Sequence, residues 1–384
     1  MRIGIDCRTV LSPAVGGRAE VGHYTYHLVK ALLEQDDINQ YVLFFDYRMA
    51  AEGTQEFQRP NVKIRFFPFS SYGRFLPIAY SQMLVSAVLL RARLDLFHAP
   101  ANIIPLGYRR PSVVTVHNLV SYKYPEWFPT QVFSTRVLVP RSLRRAKRVI
   151  AVSESTKRDI REQFDVPVEK IVVIPEAADV AILPLEDADD DVRKVYHLPE
   201  RFVLFVGTIE PRRNIRTLLE AWRDLWHHQT ELGDVKLVLA GSLGRRGKRQ
   251  LRAIRELRLE GAVRFLGSVT RNHKVKLIEE AMAFVYPSLY EGFGLPILEA
   301  MSLGTPVISS TSSSLPEVAA DAALLFEPTD VQGLARAMHR LLTNPKFAAE
   351  LAQRGRRRAR HFSWMATAKQ TLRVYEDIIA RLRA

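Results

Sequence analysis

The chain alternates short apolar runs with longer amphipathic stretches along most of its length. The apolar runs are rich in Val, Ile, Leu and Phe, as expected of strands that are buried on both faces of a parallel sheet. Strands are predicted at RIGID, YVLFF, KIRFF, LFHA, SVVTV, RVIAV, KIVVI, FVLFVG, KLVLAG, VRFLG, AFVYP and TPVIS.

The amphipathic stretches between these runs have apolar residues at helical spacing. Helices are predicted at residues 24–34, 156–163, 215–225 and 272–281, and one more from residue 363 onward. The alternation of strand and helix runs through twice. It predicts an α/β protein with two doubly wound, Rossmann-like domains.

The boundary between the two halves is a change of composition. The stretch ILPLEDADDDVRKVYHLPER is polar and acidic and contains two prolines, as is typical of a linker. We predict an N-terminal domain at 1–179, a linker at 180–200, a C-terminal domain at 201–362 and a final helix at 363–384. Asp189 and Asp191 form a D-x-D pair within this charge run, and we interpret them as solvated linker.

Composition narrows the class of protein. Of 384 residues, 47% are hydrophobic and 25% charged, the balance of a soluble globular protein. Cys7 is the only cysteine, which excludes an intrachain disulfide and favours a reducing compartment. Asp6 and Arg8 interrupt what would be the apolar part of a signal peptide.

The uncharged residues 75–90 are too few to span a bilayer and predict a buried or groove-lining helix, with membrane-surface contact as the alternative.

The formal net charge of +14 calls for an anionic partner or a solvated basic surface. Candidate partners are nucleic acid, anionic lipid headgroups and phosphorylated substrates. The basic residues form three clusters: Arg144, Arg145, Lys147 and Arg148; Arg245, Arg246, Lys248 and Arg249; Arg354, Arg356, Arg357, Arg358 and Arg360.

Two carboxylates flank a glycine-rich turn after the predicted strand AFVYP. Glu291 precedes Gly292 and Gly294, and Glu299 follows about one turn into a helix whose first turn holds Pro296. Backbone amides at such a helix start suit a diphosphate, and a carboxylate at position 299 suits ribose hydroxyls. The alternative for Glu299 is an interaction with the helix dipole alone.

Polar residues also follow other predicted strands. Arg212 and Arg213 follow FVLFVG at its carboxyl end, where two guanidiniums suit a diphosphate. No G-x-G-x-x-G follows this strand or the first strand, which argues against a nicotinamide dehydrogenase. His117 follows SVVTV, and an early loop contains Gly16 and Gly17; either feature alone indicates little.

Taken together, these segments resemble the retaining glycosyltransferases of family 4, which have the GT-B architecture. The strongest element is E-x7-E, present as Glu291-GFGLPIL-Glu299 and followed by A-x-x-x-G-x-P-V at 300–307. Supporting elements are VGTIEPRRN at 206–214, TVHNL at 115–119, AVSEST at 151–156 and LPEVA at 315–319. The resemblance implies two Rossmann-like domains facing an interdomain cleft, with a final helix that crosses back to the first domain.

The resemblance also implies roles for individual residues. Glu291 would contact sugar hydroxyls, Glu299 the ribose, and the amides of Phe293, Gly294 and Leu295, beside Gly292, the phosphates or sugar. Arg213 stands where the family usually has lysine as the diphosphate clamp, Thr208 stands where many members have arginine, and Arg212 supplies that charge. His117 would lie close to the transferred sugar and Gly17 near the donor. PEAAD at 175–179 departs from the P-N-G-V-D of many members.

The implied function is transfer of a hexose, with mannose favoured, from a nucleotide-diphosphate sugar to a glycan or lipid-linked acceptor in cell-surface polysaccharide synthesis. The donor is GDP-mannose or a UDP-sugar, and no cofactor, metal or nucleic-acid partner is expected. We predict a cytoplasmic enzyme that docks peripherally on an anionic membrane. The alternatives are a non-catalytic nucleotide- or nucleic-acid-binding protein and a GT-B epimerase or phosphorylase.

Overall fold

The fold is given by a computed structural model of the chain. It describes residues 1–10, 20–47, 49, 51–67, 78–128, 134–181, 187, 189–228 and 232–383. The chain divides into two compact units. The first unit comprises residues 1–176 and 363–384, and the second comprises residues 177–362.

The first unit is built on a parallel sheet of seven strands in the order β3-β2-β1-β4-β5-β6-β7. Its strands are β1 Arg2–Asp6, β2 Gln40–Asp46, β3 Val62–Phe67, β4 Leu96–Ala99, β5 Ser112–Val116, β6 Arg148–Ala151 and β7 Ile171–Val173. Its helices are α1 Glu20–Gln35, α2 Ile78–Arg91, α3 Val120–Lys123, α4 Val139–Arg145, α5 Glu154–Gln163 and, from the chain end, α14 Trp364–Arg383.

The last helix completes one of the two cores that cover the first sheet. Ala368, Val374 and Tyr375 of α14 are buried in the same apolar cluster as residues of β1 and α1. A buried polar contact joins this helix to the sheet, because Nδ1 of His98 lies 2.6 Å from the Tyr375 hydroxyl. The other ring nitrogen, Nε2, lies 2.8 Å from the Thr115 hydroxyl. His98 is thereby held between β5 and α14.

The second unit is built on a parallel sheet of six strands in the order β10-β9-β8-β11-β12-β13. Its strands are β8 Phe202–Val206, β9 Lys236–Ala240, β10 Val263–Gly267, β11 Ala283–Tyr286, β12 Val307–Ser310 and β13 Leu324–Phe326. Its helices are α6 Val192–Val195, α7 Ile215–His228, α8 Gly247–Glu256, α9 Arg271–Glu280, α10 Leu295–Leu303, α11 Leu315–Ala319, α12 Val331–Thr343 and α13 Pro345–Ala359.

The structure confirms the predicted doubly wound architecture and the twelve predicted strands, and adds one that the pattern did not show. The added strand, β13, has three residues and pairs on one side only, with β12 at the sheet edge. Helix α1 begins at Glu20, before the predicted start. Within the predicted linker, Asp191 caps helix α6 by accepting a hydrogen bond from the N–H of Arg193 at 3.0 Å, and the described residues there group with the second unit.

The uncharged stretch at 75–90 largely forms helix α2; its residues 75–77 lie outside the described residues. Val85 and Leu89 are buried in the second core of the first sheet, as predicted for a packed helix. Met83 and Leu90 face solvent. None of the described helices is long and apolar enough to cross a bilayer.

Candidate active site

Two loops meet at the carboxyl ends of the central strands of the second sheet. The arginine loop, residues 207–214, follows β8 and contains a 3₁₀ turn at Pro211–Arg213. The glycine loop, residues 287–294, follows β11. The chain winds outward in opposite directions from β8 and β11, and doubly wound proteins bind ligands at such a switch point. The N–H of Leu289 donates to the carbonyl of Arg212 at 2.8 Å, which joins the two loops.

A buried ion pair between Arg213 and Glu291 lies at this junction. Nη1 of Arg213 donates to Oε1 of Glu291 and to the hydroxyl of Tyr286. That hydroxyl in turn donates to the Glu291 carboxylate at 3.2 Å. Arg212 adds a longer contact from Nη1 to Oε2 of Glu291, at 3.3 Å, and pairs through Nε with Glu210. Glu291 is only 2% exposed and Arg213 only 7%, so each charge depends on the other for compensation.

The protonation state of Glu291 follows from these contacts. Burial alone would raise the pKa of its carboxyl, but the guanidiniums of Arg213 and Arg212 and hydrogen bonds from Ser288 and Tyr286 lower the pKa below its usual value. Glu291 is therefore ionised at neutral pH. It can accept hydrogen bonds from sugar hydroxyls, and it cannot serve as a proton donor.

Two serines that the sequence analysis did not single out hold the glycine loop in place. The Ser313 hydroxyl accepts a hydrogen bond from the N–H of Glu291 at 2.7 Å. The Ser314 hydroxyl lies 3.1 Å from the Glu291 carbonyl and 2.7 Å from the Phe293 carbonyl, and donates to this pair of acceptors. Both serines follow β12, so the neighbouring strand supports the loop that follows β11. The only signal in the sequence was the SSS run before LPEVA.

Helix α10 begins directly after the glycine loop. Gly294, the residue before its first turn, has φ of +111°, a value that glycine adopts and other residues rarely do. A Cβ at this position would also lie 2.8 Å from Cδ2 of Leu315. No side chain among the described residues caps this helix start, so the amides of its first turn carry the positive end of the helix dipole. Gly292, Gly294 and Leu295 are thus placed where an anion would be stabilised.

Glu299 lies one turn into α10 and is largely buried. Its Oε1 accepts a hydrogen bond from Nζ of Lys274, in α9, at 2.6 Å. The carboxylate is therefore compensated by a lysine that the sequence analysis did not identify. Binding of ribose by Glu299 stays a prediction.

Glycines bring the loop after β9 against the arginine loop. A Cβ on Gly244 would lie 2.6 Å from Cγ2 of Thr208, and a Cβ on Gly241 would lie 2.0 Å from the carbonyl oxygen of Gly207. This close approach explains why Gly241 and Gly244 of AGSLGRRG, the segment that leads into helix α8, lack side chains. Thr208 is thus placed beside Gly244, within the arginine loop.

His117 belongs to the first unit, where it directly follows β5 and is buried. Its Nδ1 lies 2.7 Å from Oε1 of Glu176, and its Nε2 lies 2.8 Å from the carbonyl oxygen of Pro100. Both ring nitrogens therefore lie within hydrogen-bond distance of an oxygen atom, and these two contacts fix the orientation of the ring. Tyr24 packs edge-on against the ring at 4.7 Å between centroids.

Glu176 explains part of the departure of PEAAD from the family pattern. It is 2% exposed and its carboxylate contacts His117, the histidine predicted to lie close to the sugar. The sequence alone shows that PEAAD departs from the family pattern, but it indicates no role for Glu176. Gly17, predicted to lie near the donor, falls outside the described residues.

Comparisons with known proteins cover most of the chain. The family described as "Glycosyltransferase Family 4" matches residues 21–182, and that described as "Glycosyl transferases group 1" matches residues 188–358. The chain is 32% identical over 371 residues to O-antigen chain mannosyltransferase B of Escherichia coli, which covers 93% of this chain and 95% of that protein. It is 31% identical over 252 residues to O-antigen chain mannosyltransferase RfbU of Salmonella typhimurium, covering 65% of this chain and 66% of that protein.

Among solved structures, the Anabaena protein HepE in complex with UDP and glucose matches with a TM-score of 0.72 at 20% identity, covering 98% of this chain and 99% of that one. The two parallel sheets and these matches define a glycosyltransferase with the GT-B fold. The chain belongs to glycosyltransferase family 4. The resemblance found in the sequence is thereby confirmed, and the protein is an enzyme that transfers a sugar.

Proposed function

We propose that this protein transfers mannose from a nucleotide-diphosphate sugar to a glycan or lipid-linked acceptor, with retention of anomeric configuration, in cell-surface polysaccharide synthesis. The names of the two mannosyltransferase relatives support mannose as the sugar. The observation that carries the proposal is the buried Arg213–Glu291 pair beside the start of α10. In this arrangement a carboxylate that could bind sugar hydroxyls lies next to groups that could stabilise a phosphate.

The leaving group determines which groups the active site must provide. Breaking the bond between sugar and phosphate builds negative charge on the diphosphate, which cations and oriented N–H groups stabilise. Arg212 and Arg213 would supply two guanidiniums, and the first turn of α10 would supply amides. A charge-assisted hydrogen bond contributes about 1.5 to 3 kcal/mol, so these groups together would supply roughly 5 kcal/mol. We propose that they serve in place of a divalent metal.

The contacts of Glu291 favour a positioning role over a covalent one. A carboxylate that is paired with two guanidiniums has its electron density drawn into hydrogen bonds and attacks an anomeric carbon poorly. The same pairing fixes the orientation of the side chain. We propose that Glu291 orients the sugar hydroxyls, and that the departing phosphate takes the acceptor proton on the same face.

The net charge also bears on where the acceptor would be met. A lipid-linked glycan would be reached by a cytoplasmic enzyme at the inner face of the membrane, and the net charge of +14 supports peripheral docking on anionic lipid. An epimerase or phosphorylase with the same fold would need no glycan acceptor, which separates those activities from transfer.

The nucleotide can be identified by thermal unfolding with GDP, UDP and ADP added separately. At 100 times its dissociation constant, the matching nucleotide stabilises the protein by about 2.7 kcal/mol. We expect GDP to act most strongly, with UDP as the alternative. The stabilisation is lost in Arg213→Met, measured against that variant's own baseline because its buried Glu291 keeps only the longer contact from Arg212.

Arg216→Met is the matched control for this experiment. Arg216 is 57% exposed on α7 and pairs with Glu220, so its loss removes the same charge outside the site. The control variant keeps the full nucleotide effect. An equal effect in Arg213→Met and wild type would contradict the proposed diphosphate clamp.

A further inference from the structure

A basic pocket lies in the first unit, away from the carboxyl ends of the strands. Its volume is about 360 Å³. It is lined by residues 108–112 at the start of β5, by Arg145 at the end of α4, by Lys147 before β6 and by Leu382 of α14. Strands β5 and β6 are parallel and begin at Ser112 and Arg148. The pocket therefore sits at the amino ends of these strands, whereas His117 follows the carboxyl end of β5.

Within the described part of the chain, the cations of this pocket have no acidic partner. Among the described residues, no carboxylate oxygen lies within 4.0 Å of the side-chain nitrogens of Arg109, Arg110, Arg145 or Lys147. Burial and the neighbouring guanidiniums of Arg109 and Arg141 lower the pKa of Arg145 below its usual value. The repulsion among these groups would be relieved by an anion.

Two buried donors on pocket-lining residues also lack a partner among the described residues. The Tyr108 side chain is 0% exposed, and its hydroxyl has no hydrogen-bond partner among the described residues. Nη2 of Arg145 is buried and likewise without a partner within the described part of the chain. Nη1 of the same guanidinium donates to the carbonyl of Leu106 at 2.7 Å, which fixes the orientation of the group. Buried polar atoms are seldom left unpaired, so two of them on residues that line one pocket point to a ligand that accepts hydrogen bonds.

We propose that this pocket binds a phosphate group. Phosphate oxygens accept several hydrogen bonds and carry the negative charge that the uncompensated cations require. Arg145 would present its free N–H edge and Tyr108 its hydroxyl, while Arg109 and Lys147 would neutralise charge at the mouth of the pocket. The site is separate from the diphosphate clamp of the second unit, because its residues belong to the first unit and lie at the opposite edge of the strands from His117.

The exposed members of the pocket provide a test that leaves the fold intact. Arg109 and Lys147 are both exposed, and the double variant Arg109→Met/Lys147→Met removes two charges from the pocket mouth. The double variant Lys248→Met/Arg249→Met removes two exposed charges from another basic cluster and has the same net charge. Tyr108→Phe removes only the unpaired hydroxyl.

Binding is measured by calorimetry with inorganic pyrophosphate and by co-sedimentation with phosphatidylcholine vesicles that contain or lack phosphatidic acid. We expect Arg109→Met/Lys147→Met to weaken binding about tenfold or more, and Tyr108→Phe about threefold or more. The Lys248→Met/Arg249→Met variant behaves as wild type. Pyrophosphate also binds at the proposed diphosphate clamp. Binding at the pocket is therefore measured as the difference in affinity between the two double variants.

Each outcome decides the proposal. A difference with pyrophosphate identifies a soluble phosphate ligand, and a difference only with phosphatidic acid vesicles identifies a lipid headgroup; both support the site. Equal binding by the two double variants to both probes, or no binding to either probe, overturns it. Neither result depends on the sugar or nucleotide that the enzyme uses.

Discussion

Glu291→Gln is expected to lower the rate of glycosyl transfer by about a hundred- to a thousandfold. The glutamine has nearly the same size, but its amide is uncharged. It therefore accepts weaker hydrogen bonds from sugar hydroxyls than the ionised carboxylate does. Nucleotide binding should be retained or tightened in the same variant, because Arg212 and Arg213 lose the carboxylate that they now share. The measurement is the transfer rate at saturating donor together with the nucleotide dissociation constant.

The control for this variant is Glu256→Gln. Glu256 is 53% exposed on α8, where it pairs with Arg216, so the same chemical change is made outside the site. Its transfer rate should equal that of wild type. A parallel loss of nucleotide binding and transfer in Glu291→Gln would indicate that the residue only supports the fold. A mannosyl ester trapped on Glu291 and found by mass spectrometry would contradict the positioning role.

Acidification is expected to destabilise the first unit through His98. Burial and the nearby His117 lower the pKa of His98 to about 3, whereas an unfolded histidine has its ordinary pKa of 6.5. Between these values the unfolded chain binds a proton that the folded chain excludes. The stabilisation from neutral His98 is thus complete above about pH 6.5 and is lost as the pH falls towards 3, by about 1.4 kcal/mol per pH unit.

This effect is separated from other titrations by comparing variants in urea unfolding between pH 4.5 and 6.5. His98→Gln should have a shallower dependence of its unfolding free energy on pH than wild type, by up to about 1.4 kcal/mol per pH unit. Its stability at neutral pH should also fall, because one of the contacts to Thr115 and Tyr375 is lost. His361→Gln, at an exposed position, should keep the wild-type slope. An unchanged slope in His98→Gln would contradict the account.

The fold could be predicted from the sequence wherever a run of consecutive apolar residues marks a buried strand. Strands of four or more apolar residues are visible because both faces of each sheet are covered. Strand β13 was missed because its short run is rich in leucine, which also favours helices, whereas the equally short edge strand β7 is marked by β-branched residues. The start of α1 was missed because residues such as Glu20 and His23 in its first turns carry no apolar face that marks a helix start.

The candidate site could be predicted only in part. The glycines and the proline around α10 have local backbone requirements, so their spacing alone indicates the loop and the helix start. The partners of the charged residues depend on contacts between distant segments. Lys274 lies 25 residues from Glu299, and Glu176 lies 59 residues from His117. Nothing in the local sequence pairs such residues, and only the packing of neighbouring elements brings them together.

The most direct test of the central claim is transfer from GDP-mannose to a mannose-terminated alkyl glycoside, with UDP-glucose as the competing donor. The product is analysed by NMR for its anomeric configuration. The account predicts that mannose is transferred with the configuration it had in the donor, and that Glu291→Gln loses most of this activity. An inverted product, or equal transfer by wild type and Glu291→Gln, would contradict it.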